Sequence, residues 1–168
     1  RVNPVHGDLV VEKDVEVPMG DGARLRCNVF LPRAAAAAGE GGEDSRVPAL
    51  LHCVPYSKDE TCKRGVILDT WGKEYVVVKL LLGGSIGEVE LSEGTPWEAA
   101  DPNVWCRRGY AVVQCDSRGF GKSDGGTADA PASILSAAEA HDYAEVIAWV
   151  ASRPWCTGRV GTTGVSYL

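Results

Sequence analysis

A serine near the end of the chain has surroundings that suit nucleophilic chemistry. In Val160-Gly161-Thr162-Thr163-Gly164-Val165-Ser166-Tyr167-Leu168 a short strand-like run feeds a tight bend with Ser166 at its tip. A bend sharp enough to push a hydroxyl outward brings backbone into close approach, which small residues permit. An ordinary strand-ending turn fits the same letters, because short patterns of Gly and Ser recur by chance. The serine would also need help. Its hydroxyl is a weak nucleophile at its usual pKa and requires a base, commonly histidine, with a carboxylate to orient it. The three histidines, His6, His52 and His141, all precede Ser166. His52 reads as a strand residue and His141 as a helix residue, so packing and surface roles suit them better. Asp142 reads as a capping or structural carboxylate. Charge developing on an attacked carbonyl oxygen needs donors aimed at it. The backbone N–H of Tyr167 is the natural first donor, and the Pro55-Tyr56 loop is the natural place for a second. There Tyr56 either contributes its hydroxyl or caps the core.

Other chemistries find less support. Gly121-Lys122-Ser123 resembles the end of a phosphate-binding loop, but Asp116 stands where that motif needs its first glycine. Asp124-Gly125-Gly126 follows where a helix should begin, so nucleotide binding is rejected. The segment reads instead as a rigid turn, with Arg118 and Asp124 available for structural pairing. No His-x-x-x-His, Cys-x-x-Cys or calcium-loop spacing is present, so neither a metal site nor another cofactor is expected. The six cysteines are spread singly and several fall in apolar runs, which reads as unpaired core thiols in a reducing compartment. A Cys53–Cys62 disulfide stays open. A formal net charge of -6 and the lack of any Lys/Arg run argue against nucleic-acid binding. Trp149 and Trp155 read as packing anchors. No apolar stretch is long enough for a membrane span, and no leader pattern precedes the first strand, so a cytoplasmic location is expected.

The elements that must position Ser166 can be traced in order. Residues 9–17 end in an alternating pattern and are followed by Pro18-Met19-Gly20-Asp21-Gly22, and Arg24 to Leu31 alternates again, which predicts an antiparallel hairpin. Residues 33–46, an alanine run followed by glycines and acids, read as a variable surface loop. Val47–Val54 and Tyr110–Cys115 are apolar runs suited to strands buried on both faces. Residues 59–96 resist assignment, and Val76–Leu82 fits a strand or two helical turns. Trp97–Arg108 has helical length and stops at Gly109. A helix is expected from about Ser133 to Ser152, with Ser136 and Glu139 offering a capping box as an alternative start. Its stripe is Tyr143, Val146, Ile147 and Val150. Arg159–Gly164 is then the strand that delivers Ser166. Strands alternating with helices indicate an α/β fold with a mostly parallel sheet.

At this point the motifs resemble a known family. Pro18-Met19-Gly20-Asp21-Gly22-Ala23-Arg24-Leu25, Pro55-Tyr56-Ser57-Lys58, the run from Arg108 to Gly125, and Gly164-Val165-Ser166-Tyr167-Leu168 closely resemble the CocE/NonD hydrolases. That group includes cocaine esterase, α-amino acid ester hydrolases, glutaryl acylases and X-prolyl dipeptidyl peptidases. The resemblance implies the N-terminal portion of an α/β-hydrolase fold over residues 1–168, ending at the nucleophile elbow. It implies Ser166 as the nucleophile that forms an acyl-enzyme. It also favours the Tyr56 hydroxyl, with the Tyr167 N–H, as the oxyanion hole. The substrate would be a small acyl ester, amide or short peptide. The family's acid and histidine lie further on, so these residues are expected to be inactive alone, needing a complementing chain or a homo-oligomer. The rival reading is a non-catalytic binding or partner protein on a truncated hydrolase scaffold.

Overall fold

Two alternating runs pair, as their period requires, into the hairpin that opens the fold. In the computed structural model, which describes residues 2–37, 45–61, 91–96, 98–125 and 134–164, a short strand β1 (Val2–Asn3) precedes β2 (Leu9–Pro18) and β3 (Arg24–Pro32). β2 and β3 are antiparallel. Their turn closes with Met19 N–H bonded to Ala23 O at 2.9 Å, and Gly22 sits at a φ of 90°, a conformation that penalises any Cβ. Between Glu12 and Val15 the register slips. Asp14 lies in this bulge at a φ of 57°, and its amide donates to Asn28 Oδ1 at 3.2 Å. Aspartate tolerates that left-handed conformation better than most residues, which is why a bulge can form there.

Where a loop is expected from residue 33, a one-turn helix α1 (Arg33–Ala36) forms first. Residues 38–44 lie outside the described residues, as does most of the 59–96 stretch, including Val76–Leu82. There follow β4 (Val47–Val54), β5 (Leu91–Ser92) parallel to β1, α2 (Pro102–Trp105) with a 3-10 turn at Cys106–Arg108, and β6 (Ala111–Asp116). The last elements are α3 (Ala137–Ala151) and β7 (Cys156–Thr162). The helix expected over 97–108 is therefore shorter. Glu98 has a φ of 58°, and the helix starts only where Asp101 caps Asn103 N–H at 2.8 Å with Pro102 in the first turn. It ends at Gly109, as the sequence predicts, with φ 81°. For α3 the capping serine decides the start: Ser136 Oγ accepts from Glu139 N–H at 3.1 Å. β7 begins three residues earlier than Arg159 and closes at Thr162.

The five-stranded sheet has the order β2-β3-β6-β4-β7. β3 is antiparallel to both neighbours, whereas β4 is parallel to β6 and β7. Four strands thus point one way and β3 the other. On one face Leu51, Val29 and Val113 pack with Val146 and Val150 of α3, while Tyr143, Ile147 and Trp149 cover the margin and Trp155 is buried. Each fully buried aliphatic side chain there contributes about 1.5–3 kcal/mol. The opposite face packs Phe30 and Val112 against Leu9, Ala100 and Cys106. Cys27, Cys115 and Cys53 fall in register across β3, β6 and β4 as buried free thiols. Cys53 is not in a disulfide, and Cys62 lies outside the described residues. Among the described residues no helix is long and apolar enough to cross a membrane.

Candidate active site

The chain leaves β4 for β6 on one side, then returns to place β7 on the other. In an open sheet such a reversal opens a crevice at the C-terminal ends of the strands. Register brings those ends together. Leu51 pairs with Thr162, and Thr163 N–H extends the ladder to Leu51 O at 3.1 Å. Past the end of β4, Tyr56 is 44% exposed, and among the described residues its hydroxyl has no hydrogen-bond partner. The described chain reaches Gly164 on the β7 side, and Ser166 and Tyr167 lie outside the described residues.

Beneath the Tyr56 loop is a cluster of charges. Lys58 is fully buried, and its ammonium lies 2.7 Å from Asp14, 3.1 Å from Asp59 and 3.2 Å from Asp116, which is itself fully buried at the end of β6. Asp116 also accepts two amides, Lys58 N–H at 2.6 Å and Lys122 N–H at 2.9 Å, one on each oxygen. Lys122 closes the ring from the surface, 2.6 Å from Asp14 and 3.1 Å from Asp59. Burial pushes the Lys58 ammonium toward neutrality, but Asp14, Asp116 and Asp59 outweigh it and hold its pKa above the usual lysine value. Burial likewise opposes ionisation of Asp59, yet Asn28, Lys122 and Lys58 bring its pKa down to about 2. Lys58 and Asp59 therefore stay charged and paired at neutral pH.

Gly121 makes the ring possible. At a φ of 52° it lies against the Asp116 carboxylate, and a Cβ there would run into that carboxylate. Gly121→Ala is expected to destabilise the protein by about 2–3 kcal/mol, from left-handed strain plus overpacking. Chemical denaturation checks this, and a loss below about 0.5 kcal/mol would mean that the loop simply moves aside.

The histidines do not supply a base at these strand ends. His52 is buried in β4 opposite Gln114, neither ring nitrogen is hydrogen-bonded among the described residues, and burial pushes its pKa down to about 3. His141 faces solvent on α3, 3.2 Å from Glu145. His6 meets Arg107 at 3.1 Å, beside an open cleft of about 480 Å³ lined by Asn3, Ser92, Asp101 and Asn103. That cleft lies on the α2 side, where β6 begins, away from the C-terminal ends of the strands.

The family model of the X-Pro dipeptidyl-peptidase (S15 family) matches residues 21–168. The chain belongs to that family. Among curated relatives, the cocaine esterase of Rhodococcus sp. is 30% identical over 164 residues, covering 98% of this chain and 21% of that protein. A CocE/NonD family hydrolase from Staphylococcus aureus is similar in structure, with a TM-score of 0.71 and 34% identity over 95% of this chain and 24% of that one. The chain spans about a fifth of the length of the curated relatives it matches. The resemblance read from four separated motifs therefore holds at family level.

Within this S15-family chain, sequence reasoning placed Arg118 and Asp142 in structural roles but did not pair them. Arg118 Nε and Nη2 bind both oxygens of Asp142 at 2.7 and 2.6 Å, and Nη1 binds Asp21 at 2.7 Å. Asp142 is the main cause that raises the Arg118 pKa, against burial, with Asp21 adding to it. Asp124 pairs with Arg24, as a surface residue. What the reading missed is the Lys58 ring. One signal was available: alternation begins only at Val15, after the polar run Glu12-Lys13-Asp14, where the bulge turns a carboxylate toward Lys58.

Proposed function

We propose that this chain carries the nucleophile and oxyanion donors of a serine hydrolase that cleaves esters, amides or X-prolyl peptides through an acyl-enzyme. One observation carries the reading: β4 and β7 are adjacent, parallel and paired from Leu51 to Thr162, so both strands run to the same edge of the sheet. Tyr56 follows Leu51 by five positions and Ser166 follows Thr162 by four. Membership of the S15 family and the exposed Tyr56, whose hydroxyl has no hydrogen-bond partner among the described residues, support the same assignment.

In this mechanism Ser166 Oγ attacks the acyl carbonyl carbon while a histidine takes its proton. The electron pair of the carbonyl moves onto oxygen, where the Tyr56 hydroxyl and the Tyr167 N–H donate to it. Collapse expels the alcohol or amine, which receives the proton back from the histidine. Water then repeats the sequence on the acyl-enzyme and releases the acid. The base is a histidine other than His6, His52 and His141, given the surroundings described above.

A fluorophosphonate probe tests this on the native gene product, read by intact mass and peptide mapping. The expected result is one adduct per chain, on the peptide containing Ser166. A folded native product that stays unlabelled would overturn the proposal.

A further inference from the structure

We propose that Lys58 is a positioning residue for Tyr56, its buried ammonium and its amide locking the loop that carries the oxyanion-facing hydroxyl. The inference rests on the reading of Tyr56 as an oxyanion donor. Among the described residues the Tyr56 side chain makes no hydrogen bond, so its placement depends on the backbone either side of it. On the N-terminal side, Val54 O accepts Ser117 N–H at 3.1 Å, which ties the exit of β4 to the exit of β6. On the C-terminal side the anchor is Lys58, whose amide donates to Asp116 Oδ1 at 2.6 Å.

Between the two anchors Ser57 has a φ of 76°, a left-handed conformation that serine does not choose by itself. Such a residue persists where its surroundings over-determine it. Here they do. The Lys58 ammonium gathers carboxylates from three separate segments: Asp14 in the bulge of β2, Asp59 in the loop, and Asp116 at the end of β6. A turn needed only to cover the sheet would not require a long cationic side chain to be withdrawn wholly from water, since burying a charge is costly unless it is fully paired. Fixing a donor is a task for which that arrangement is suited, because a displacement of about 1 Å at a reacting centre is enough to cost roughly 100-fold in rate.

The test is a double-mutant cycle in the native gene product, with hydrolysis of a p-nitrophenyl ester normalised to Ser166 counted by fluorophosphonate titration. Tyr56→Phe is expected to lower kcat about 100-fold, the usual effect of losing one oxyanion donor. Lys58→Met is expected to lower kcat about 10-fold or more with KM changed less than about twofold, and the double variant to be no slower than Tyr56→Phe alone. If the two losses multiply, Lys58 supports only the fold and the inference is overturned. If Tyr56→Phe leaves kcat unchanged, the oxyanion reading itself fails, and the inference with it. Should Lys58→Met fail to fold, Asp14→Asn takes its place in the cycle, since it weakens the same ammonium from the bulge of β2. Its expected loss is about threefold in kcat and vanishes in the Tyr56→Phe background; a loss that persists there overturns the inference.

Discussion

Ser166→Ala is expected to lower kcat for ester hydrolysis by the native gene product by roughly 10^6, the scale seen when a triad serine is removed. The variant deletes one oxygen at a position reached immediately after the exposed end of β7, where Thr162, Gly161 and Gly164 are solvent-facing. It should leave the sheet and the charge cluster intact. What remains is the oxyanion site and acyl binding, enough for a residual rate about 10^3–10^4 above water. KM is therefore expected to change little, and unfolding should occur at the same denaturant concentration as in the wild type. The contrast with Tyr56→Phe is quantitative: one substitution removes the attacking atom, the other one of two donors. Steady-state kinetics with a p-nitrophenyl ester, after mass spectrometry has excluded wild-type carry-over, decides the matter. A Ser166→Ala protein within about tenfold of wild type would make Ser166 an ordinary turn residue.

The second large effect concerns stability. Arg118→Met is expected to cost about 3–5 kcal/mol, because it strips the Asp142 carboxylate of its partner in a site where both side chains are under 8% exposed. This guanidinium joins three pieces of the fold: the loop after β6, α3 through Asp142, and the hairpin turn through Asp21. Asp21 is partly exposed and can be hydrated when the arginine is gone. Asp142 cannot. For that reason Arg118→Met/Asp142→Leu is expected to recover much of the loss, since an apolar pair leaves no stranded ion. Arg118→Lys should not recover it, as an ammonium cannot reproduce the two parallel bonds to one carboxylate. Denaturant unfolding of the wild type, Arg118→Met, Asp142→Leu and the double variant supplies the cycle, with Arg118→Lys measured beside them. A cost for Arg118→Met below about 1 kcal/mol would mean that the pair behaves as a surface bridge, screened by water.

The candidate site was legible only in part, and the division follows the range of the interactions involved. Ser166, Tyr167 and Tyr56 stand out in the sequence because a nucleophile turn and a strand-end loop have local signatures. Their assignments rest on the strand register and the family match, with Ser166 and Tyr167 lying outside the described residues. Lys58 was read only as part of a motif. Its function depends on Asp14, 44 positions away, and on Asp116, 58 positions away, distances at which no pattern of polar residues singles out a partner. The shortened helix α2 has a local cause that period counting overlooks: Asp101-Pro102 is a start signal placed inside an apparently continuous helical run.

From its sequence alone this chain declares two strands with an Asp-Gly turn between them, buried strands at 47–54 and near 111–115, an amphipathic helix starting at Ser133 or Ser136, and a serine beyond the strand at 159–164. Each of these follows from side-chain period or from the chemistry of a cap or turn, which act over a few residues. Tertiary structure decided the rest: the order β2-β3-β6-β4-β7, the Leu51–Thr162 register that runs β4 and β7 to one edge, and the pairing of Lys58 with Asp116 and of Arg118 with Asp142. The physical reason is that strand neighbours and buried ion partners are chosen by which surfaces exclude water together, a property of the assembled sheet and helices and of no single segment.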